Sequence, residues 1–204
     1  MRVWKVLALL LWSAAVSLSG CAGSAAVTKS NIEYGKLSDS RDGQSYRTVV
    51  IGNQTWMADN LDYAPSSGGG WCYDNKDASC GVCGRLYDWS AASEVCPSGW
   101  HLPSREEWDE LIAFAGAGTA GAKLKSADIW RGGNGTDDFG FSALPCGYCG
   151  GSNYEGMSEN GWWWTSTAAN EAAAYYRLMH YGNSEVKDFA VFKVVKMSVR
   201  CVKD

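Results

Sequence analysis

Apolar residues follow three regimes along this chain. Residues 6–16 form an apolar run interrupted only by Ser13, with Arg2 and Lys5 before it and Leu18-Ser19-Gly20-Cys21 after it. The run falls short of the roughly 20 residues that a bilayer-spanning helix needs, and matches the h-region of a secretory signal spanning residues 1–20. Residues 21–45 are rich in Ala, Ser, Lys, Asp and Gly and poor in large apolar side chains, the composition of a flexible tether. From Tyr46 onward the apolar positions recur with structural periods. Two β-rich runs, 46–51 and 54–58, flank Gly52-Asn53, a two-residue connection whose tolerance of positive φ predicts a hairpin. Residues 66–70 read as a loop.

The period then changes. Ser104 followed by Glu107 makes a capping box, and Trp108, Leu111, Ile112 and Ala115 fall on one helical stripe that Gly116 ends. An earlier helix is predicted over 86–95, with Trp89 and Ala92 facing inward. Residues 162–166, 174–178, 190–194 and 197–202 have the β-branched and aromatic content of strands. A hairpin, two helices and then strands, with no internal repeat, predict an α+β domain over 46–204 with a twisted, mainly antiparallel sheet.

Leu18-Ser19-Gly20-Cys21 resembles a bacterial lipobox, in which cleavage before the cysteine leaves its thiol to carry diacylglycerol. Two or more acyl chains hold a protein stably to a membrane where one does not. The expected product is an exported protein anchored through Cys21 to the bacterial outer membrane or cell surface. Loss of Arg2 and Lys5 with the signal takes the formal charge from −4 to −6. No basic run survives, which argues against nucleic-acid partners and against adhesion to anionic lipid by charge alone.

Several separated motifs then occur in order. They are Val50-Ile51-Gly52-Asn53-Gln54-Thr55-Trp56-Met57-Ala58-Asp59-Asn60-Leu61, Gly84-Arg85-Leu86-Tyr87 and Cys96-Pro97-Ser98-Gly99-Trp100-His101-Leu102-Pro103-Ser104. Gly135-Thr136-Asp137-Asp138-Phe139-Gly140-Phe141-Ser142-Ala143-Leu144-Pro145, Trp163-Trp164-Thr165-Ser166-Thr167 and Ser198-Val199-Arg200-Cys201-Val202 follow. Together, over residues 46–204, they resemble the Fibrobacter succinogenes major paralogous domain (FISUMP). The resemblance implies a disulfide-stabilised, C-type-lectin-like α+β fold shared with formylglycine-generating enzymes, in exported proteins of fibre-degrading bacteria. It also implies that Cys72 pairs with Cys80 and Cys96 with Cys201.

Eight cysteines in an exported chain point first to disulfides. With Cys21 acylated an odd number remains, so at least one is free, metal-bound or intermolecular. Cys83, Cys146 and Cys149 depart from the family pattern. Cys83 could pair with Cys146 or with Cys149, or Cys146 with Cys149 locally. Cys80-Gly81-Val82-Cys83 and Cys146-Gly147-Tyr148-Cys149 could also present four thiolates to zinc. The gap between these two knuckles far exceeds the roughly 15–20 residues of a zinc ribbon, and zinc would take Cys80 from Cys72.

Catalytic constellations are sparse. His101 and His180 are the only histidines, no Gly-x-Ser-x-Gly elbow occurs, and Glu106 and Glu107 suit a helix N-terminus. The two thiols of a formylglycine-generating enzyme cannot be assigned, so an enzyme is the weaker reading. Gly116-Ala117-Gly118-Thr119-Ala120-Gly121 follows a helix rather than a strand, which makes it a stop and loop instead of a dinucleotide site. Asp74-Asn75-Lys76-Asp77 and Asn134-Gly135-Thr136-Asp137-Asp138 could offer oxygens to calcium, but the chain lacks the sugar-binding triplets of calcium lectins. Aromatics carry the remaining signal, since Trp and Tyr pair a flat apolar face with a polar handle. Trp71, Tyr148, Tyr154, Trp162 and Trp164 are the expected ligand contacts of a polysaccharide-binding or adhesion module. The alternative is a protein-binding scaffold in an envelope assembly. Intact mass of the membrane-extracted protein should show a lipidated Cys21 at the N-terminus; a soluble mature form with unmodified Cys21 would overturn this.

Overall fold

The computed structural model describes residues 32–204, so Cys21 and the signal-like run lie outside the described residues. The chain opens with an antiparallel meander of β1 (Gly35–Ser38), β2 (Ser45–Ile51) and β3 (Gln54–Met57). Ile51 pairs with Gln54 across Gly52-Asn53, with Gly52 at φ 61°, as the hairpin signal predicts. Within the 21–45 segment expected to be a tether, Gly35–Ser38 is a strand. Its Leu37 pairs with Tyr46 and packs on the core. A four-residue strand with one large apolar side chain leaves almost no compositional trace.

Next come β4 (Gly70–Trp71), a 3-10 turn (Tyr73–Asn75), α1 (Asp77–Cys83), β5 (Leu86–Tyr87), α2 (Trp89–Ala92) and β6 (Trp100–His101). The helix predicted over 86–95 is therefore corrected. Leu86 and Tyr87 join the sheet, and the helix begins only after Asp88, whose carboxylate accepts from Ala91 N at 2.9 Å. Ala92 is buried as predicted, whereas Trp89 is half-buried. The capped helix is α3 (Arg105–Ala115). Ser104 Oγ accepts from Glu107 N at 3.1 Å, and Glu107 Oε2 accepts from Ser104 N at 2.7 Å. After it, α4 (Ala120–Leu124) uses the second half of the glycine-rich stretch, and a Cβ on Gly121 would meet Glu185 O at 2.5 Å. That glycine serves close packing. With α1 and α4, the described residues hold four helices rather than two; both are too short to show a hydrophobic stripe.

The remainder is β7 (Cys146–Gly150), β8 (Asn153–Met157), β9 (Asn160–Ala168), β10 (Ala173–His180), β11 (Lys187–Phe192), β12 (Met197–Ser198) and β13 (Val202–Lys203). Two sheets result. One runs β1-β2-β3-β13-β6; the other runs β11-β10-β9-β12-β5-β4, with β7 joining β9 and β8. Pairing is antiparallel except where β9 meets β12 and β7. The strand predicted over 197–202 is in fact two, because the chain crosses from one sheet to the other between Ser198 and Val202. No described helix is long and apolar enough to cross a membrane.

Alternation along β9 sends Trp163 into a cluster with Trp56, Trp108 and Phe141, and Trp164 into one with Met57, Tyr87 and Met197. Both indoles are fully buried, so this sheet is covered on both faces. Disulfides join Cys72–Cys80, Cys96–Cys201 and Cys83–Cys146, and Cys149 is the free thiol among the described residues. With Cys80, Cys83 and Cys146 all bridged, Cys149 is the one thiol of the two knuckles left unbonded. Cys146 and Cys149 lie three residues apart on one strand and so point to opposite faces, which forbids a local bridge. Cys149 instead packs with Tyr73 and Leu86.

The Cys96–Cys201 bridge closes 105 residues, which in the chain-entropy model constrains the unfolded chain by roughly 4–5 kcal/mol. Peptide mapping without reduction should recover all three pairs, with Cys149 alkylated only after denaturation. A 146–149 or 83–149 pair in correctly exported protein would contradict this arrangement.

Candidate functional site

The five aromatics expected at a ligand site are not brought together. Trp164 is fully buried and its indole N–H donates to Tyr87 O at 2.8 Å, so it cannot meet a ligand. Trp162 is half-buried, but both its faces are taken: Tyr148 stacks on one at 4.2 Å between centroids and Tyr176 on the other at 4.7 Å. Only its edge is free, and stacking on a sugar requires a face. Tyr148 is further fixed by its hydroxyl, 2.9 Å from Glu155 Oε2. Tyr154 lies on the opposite face of the β7–β8 hairpin, 5.1 Å from the Tyr73 ring and bonded to Asn75 Oδ1. Trp71 is half-buried with Lys196 Nζ 4.1 Å above its ring.

A better-formed site lies around α2. Trp89 N donates to Lys193 O, and the indole Nε1 donates to Thr165 O at 2.9 Å. The ring is thus held by its polar edge, and Lys193 Nζ rests 4.2 Å from its centroid. Asp88, Trp89, Ser90, Lys193 and Val194 line a cleft of about 400 Å3. A second cavity of about 340 Å3 shares Asp88 and Ser90 and continues along α2 to Ser67, Gly68, Gly69 and Glu94. An aromatic floor, an ammonium, a hydroxyl and the Asp88 carboxylate therefore converge on the first cleft, with Glu94 in the adjoining cavity. Sequence periodicity assigned Trp89 to the core and so missed it. The available signal was Asp88 as an N-cap, which makes Trp89 the first residue of a short helix and leaves it at the surface. A larger cleft of about 570 Å3 between Tyr34, Val50 and Phe114 has Glu33 and Asp138 as its charged lining and no lining cation to set beside an aromatic face.

The Fibrobacter succinogenes major domain family matches residues 49–203. The chain belongs to that family. The matched segment runs from β2 to β13, so the family domain contains the α2 groove, all three disulfides and the crossing between sheets. No curated protein and no solved structure matches the chain.

The remaining candidates have internal partners. In the first acid cluster, Asp74 and Asn75 adopt positive φ in the 3-10 turn and Asp74 pairs with Lys76. In the second, Asp137 accepts from Ser142 N and Oγ at 2.7 and 2.8 Å, while Asn134 accepts from Lys125 Nζ at 3.2 Å. No group of three or more His, Cys, Asp or Glu among the described residues is arranged to hold a metal. Burial pulls Lys125 down to about 8, yet its ammonium is satisfied by Asn134 and, at 2.6 Å each, by His180 O and Asn183 O. It ties loops together.

His101 bridges Asp204 Oδ1 at 2.6 Å and Glu107 Oε1 at 2.8 Å, which links the C-terminus to the α3 capping box. Burial disfavours its charged form, but the bonds to Asp204 and Glu107 outweigh burial and raise His101 above its ordinary 6.5. A group raised on folding stabilises fully below its unfolded value and loses that stabilisation as pH climbs through the folded one. The melting temperature should therefore fall as pH climbs above the ordinary 6.5 of a histidine, with a component that His101→Gln removes. An identical pH profile in the variant would contradict the assignment.

Proposed function

We propose that the domain is an exported, lipid-anchored binding module that captures polysaccharide by stacking a sugar ring on Trp89. The observation that carries this reading is the cleft itself: an indole held edge-on by Thr165, with only a lysine side chain over its outer face. An ammonium at an exposed indole is worth about 0.5–1 kcal/mol, little enough for a ligand to displace. Trp71 under Lys196 offers a second indole with a lysine over its face. The carboxylate beside Trp89, Asp88, is engaged as the N-cap of α2 at 2.9 Å from Ala91 N, which favours binding over turnover. Calcium has no part in this scheme, because the groove's groups act by stacking and hydrogen bonding. The protein-scaffold reading draws on a different feature. Edge strand β11 exposes Phe189 and, at its end, Phe192, at 48% and 67%, and exposed apolar edges invite pairing with another chain.

A glycan array probed with the purified protein should find polysaccharide ligands, with binding unchanged by chelator. Trp89→Ala should weaken binding about tenfold or more, equal to about 1.4 kcal/mol, in protein that remains folded. Trp162→Ala, whose indole has no free face, should leave affinity unchanged at a temperature where the variant is folded. Trp164→Ala should cost roughly 3–5 kcal/mol of stability. Loss of binding in chelator, or equal effects of Trp89→Ala and Trp162→Ala, would overturn the stacking site. Failure of every glycan to bind would favour the β11 edge and a protein partner.

A further inference from the structure

The turn between β11 and β12 carries two lysines of one kind. Lys193 Nζ lies 4.2 Å above the Trp89 ring and Lys196 Nζ 4.1 Å above the Trp71 ring. None of the ion pairs among the described residues includes either lysine. In a chain of formal charge −4, with acidic groups in excess, each of these two ammonium groups rests on an indole face, and Lys196 Nζ also donates to Gly151 O at 3.4 Å. Of the acids of the groove, Asp88 lines the same cleft as Lys193 without forming an ion pair with it. Asp88 Oδ1 is held by Ala91 N at 2.9 Å, and Glu94 lines only the adjoining cavities, away from Lys193.

Resting on the reading that Trp89 stacks a sugar, we infer that the groove selects carboxylated sugars, and that its ligand is a polyuronate chain. Any sugar that stacks on Trp89 must first lift Lys193 off the ring. A neutral sugar takes the ring face and returns nothing to the displaced ammonium except water. A uronic acid residue presents its apolar C–H face to the indole and its carboxylate to the ammonium, so the displaced cation gains a charge-assisted contact. The carboxylate must lie at the sugar's edge for both contacts to form at once, as it does when carried on the ring's exocyclic carbon. One turn repeats the arrangement at Lys196 and Trp71, which suits a polymer with a carboxylate on each unit better than a single terminal acid.

Calorimetric titration of the purified full chain with oligogalacturonate and with its methyl ester separates the terms, since the two differ only in the carboxylate. The acid should bind about tenfold or more tightly than the ester, the size of one lost contact to a charged group, and its affinity should fall with salt. Lys193→Gln should remove that advantage and Lys193→Arg should keep it, while Trp89→Ala should weaken both ligands. Equal binding of acid and ester, or a Lys193→Gln variant that still prefers the acid, would overturn the inference. If neutral xylan or cello-oligosaccharides bind in a Trp89-dependent way and the oligogalacturonate does not, the acid preference fails while the stacking site stands. If Trp89→Ala leaves the binding of every glycan unchanged, both fail.

Discussion

The buried guanidinium of Arg200 sits where the two sheets are joined. It is fully desolvated and pulled down to about 9 by that burial, so it stays charged at neutral pH without a carboxylate beside it. Its Nε donates to Asn60 Oδ1 at 2.8 Å, its Nη2 to Ser142 O at 2.8 Å and its Nη1 to Phe141 O, with the Phe141 ring 4.5 Å away. Asn60 is saturated in turn. The same oxygen accepts from Trp163 Nε1 at 3.0 Å, and its amide donates to Cys83 O at 2.8 Å and Ser198 Oγ at 3.3 Å. Burying a cation costs several kcal/mol, and bonds to a charged group return roughly 1.5–3 kcal/mol each. The arrangement is therefore favourable only while every partner is in place.

That requirement sets the path of the chain. Ser198 belongs to one sheet and Val202 to the other, so Arg200 marks the crossing, and Cys201 beside it is bridged to Cys96. Met57 N donates to Cys201 O and Leu61 N to Val199 O, which fastens the segment around Asn60 along the same crossing. Short strands of two residues, such as β5, β12 and β13, could not hold their places by ladder bonds alone. With β12 fixed, the 193–196 turn before it is positioned against Trp89 and Trp71. The groove is built from surface pieces, but its geometry is inherited from the core.

Much of this was legible from local chemistry. The Gly52-Asn53 turn and the Ser104/Glu107 box each act through neighbours in sequence, and the structure follows them. What escaped was set by distant partners. Leu86 and Tyr87 look helical until β4 and β12 recruit them, and β1 is a strand only because β2 offers an edge. Among the aromatics, residue type could not separate an indole with a free face from one enclosed by Tyr148 and Tyr176. That distinction moves the candidate site from Trp162 to Trp89. The choice of Cys146 over Cys149 as the partner of Cys83 likewise depends on which face of β7 each occupies.

Equilibrium urea unfolding of Asn60→Ala tests the central claim most directly. If Asn60 and Arg200 together hold the crossing, the variant should lose roughly 3–5 kcal/mol, because a buried charge is left half-satisfied. The double variant Asn60→Leu with Arg200→Met, which removes the charge as well, should be more stable than Asn60→Ala. A loss below about 1 kcal/mol in Asn60→Ala, within the range of an ordinary single hydrogen bond, would show that the sheets are joined by something other than this node.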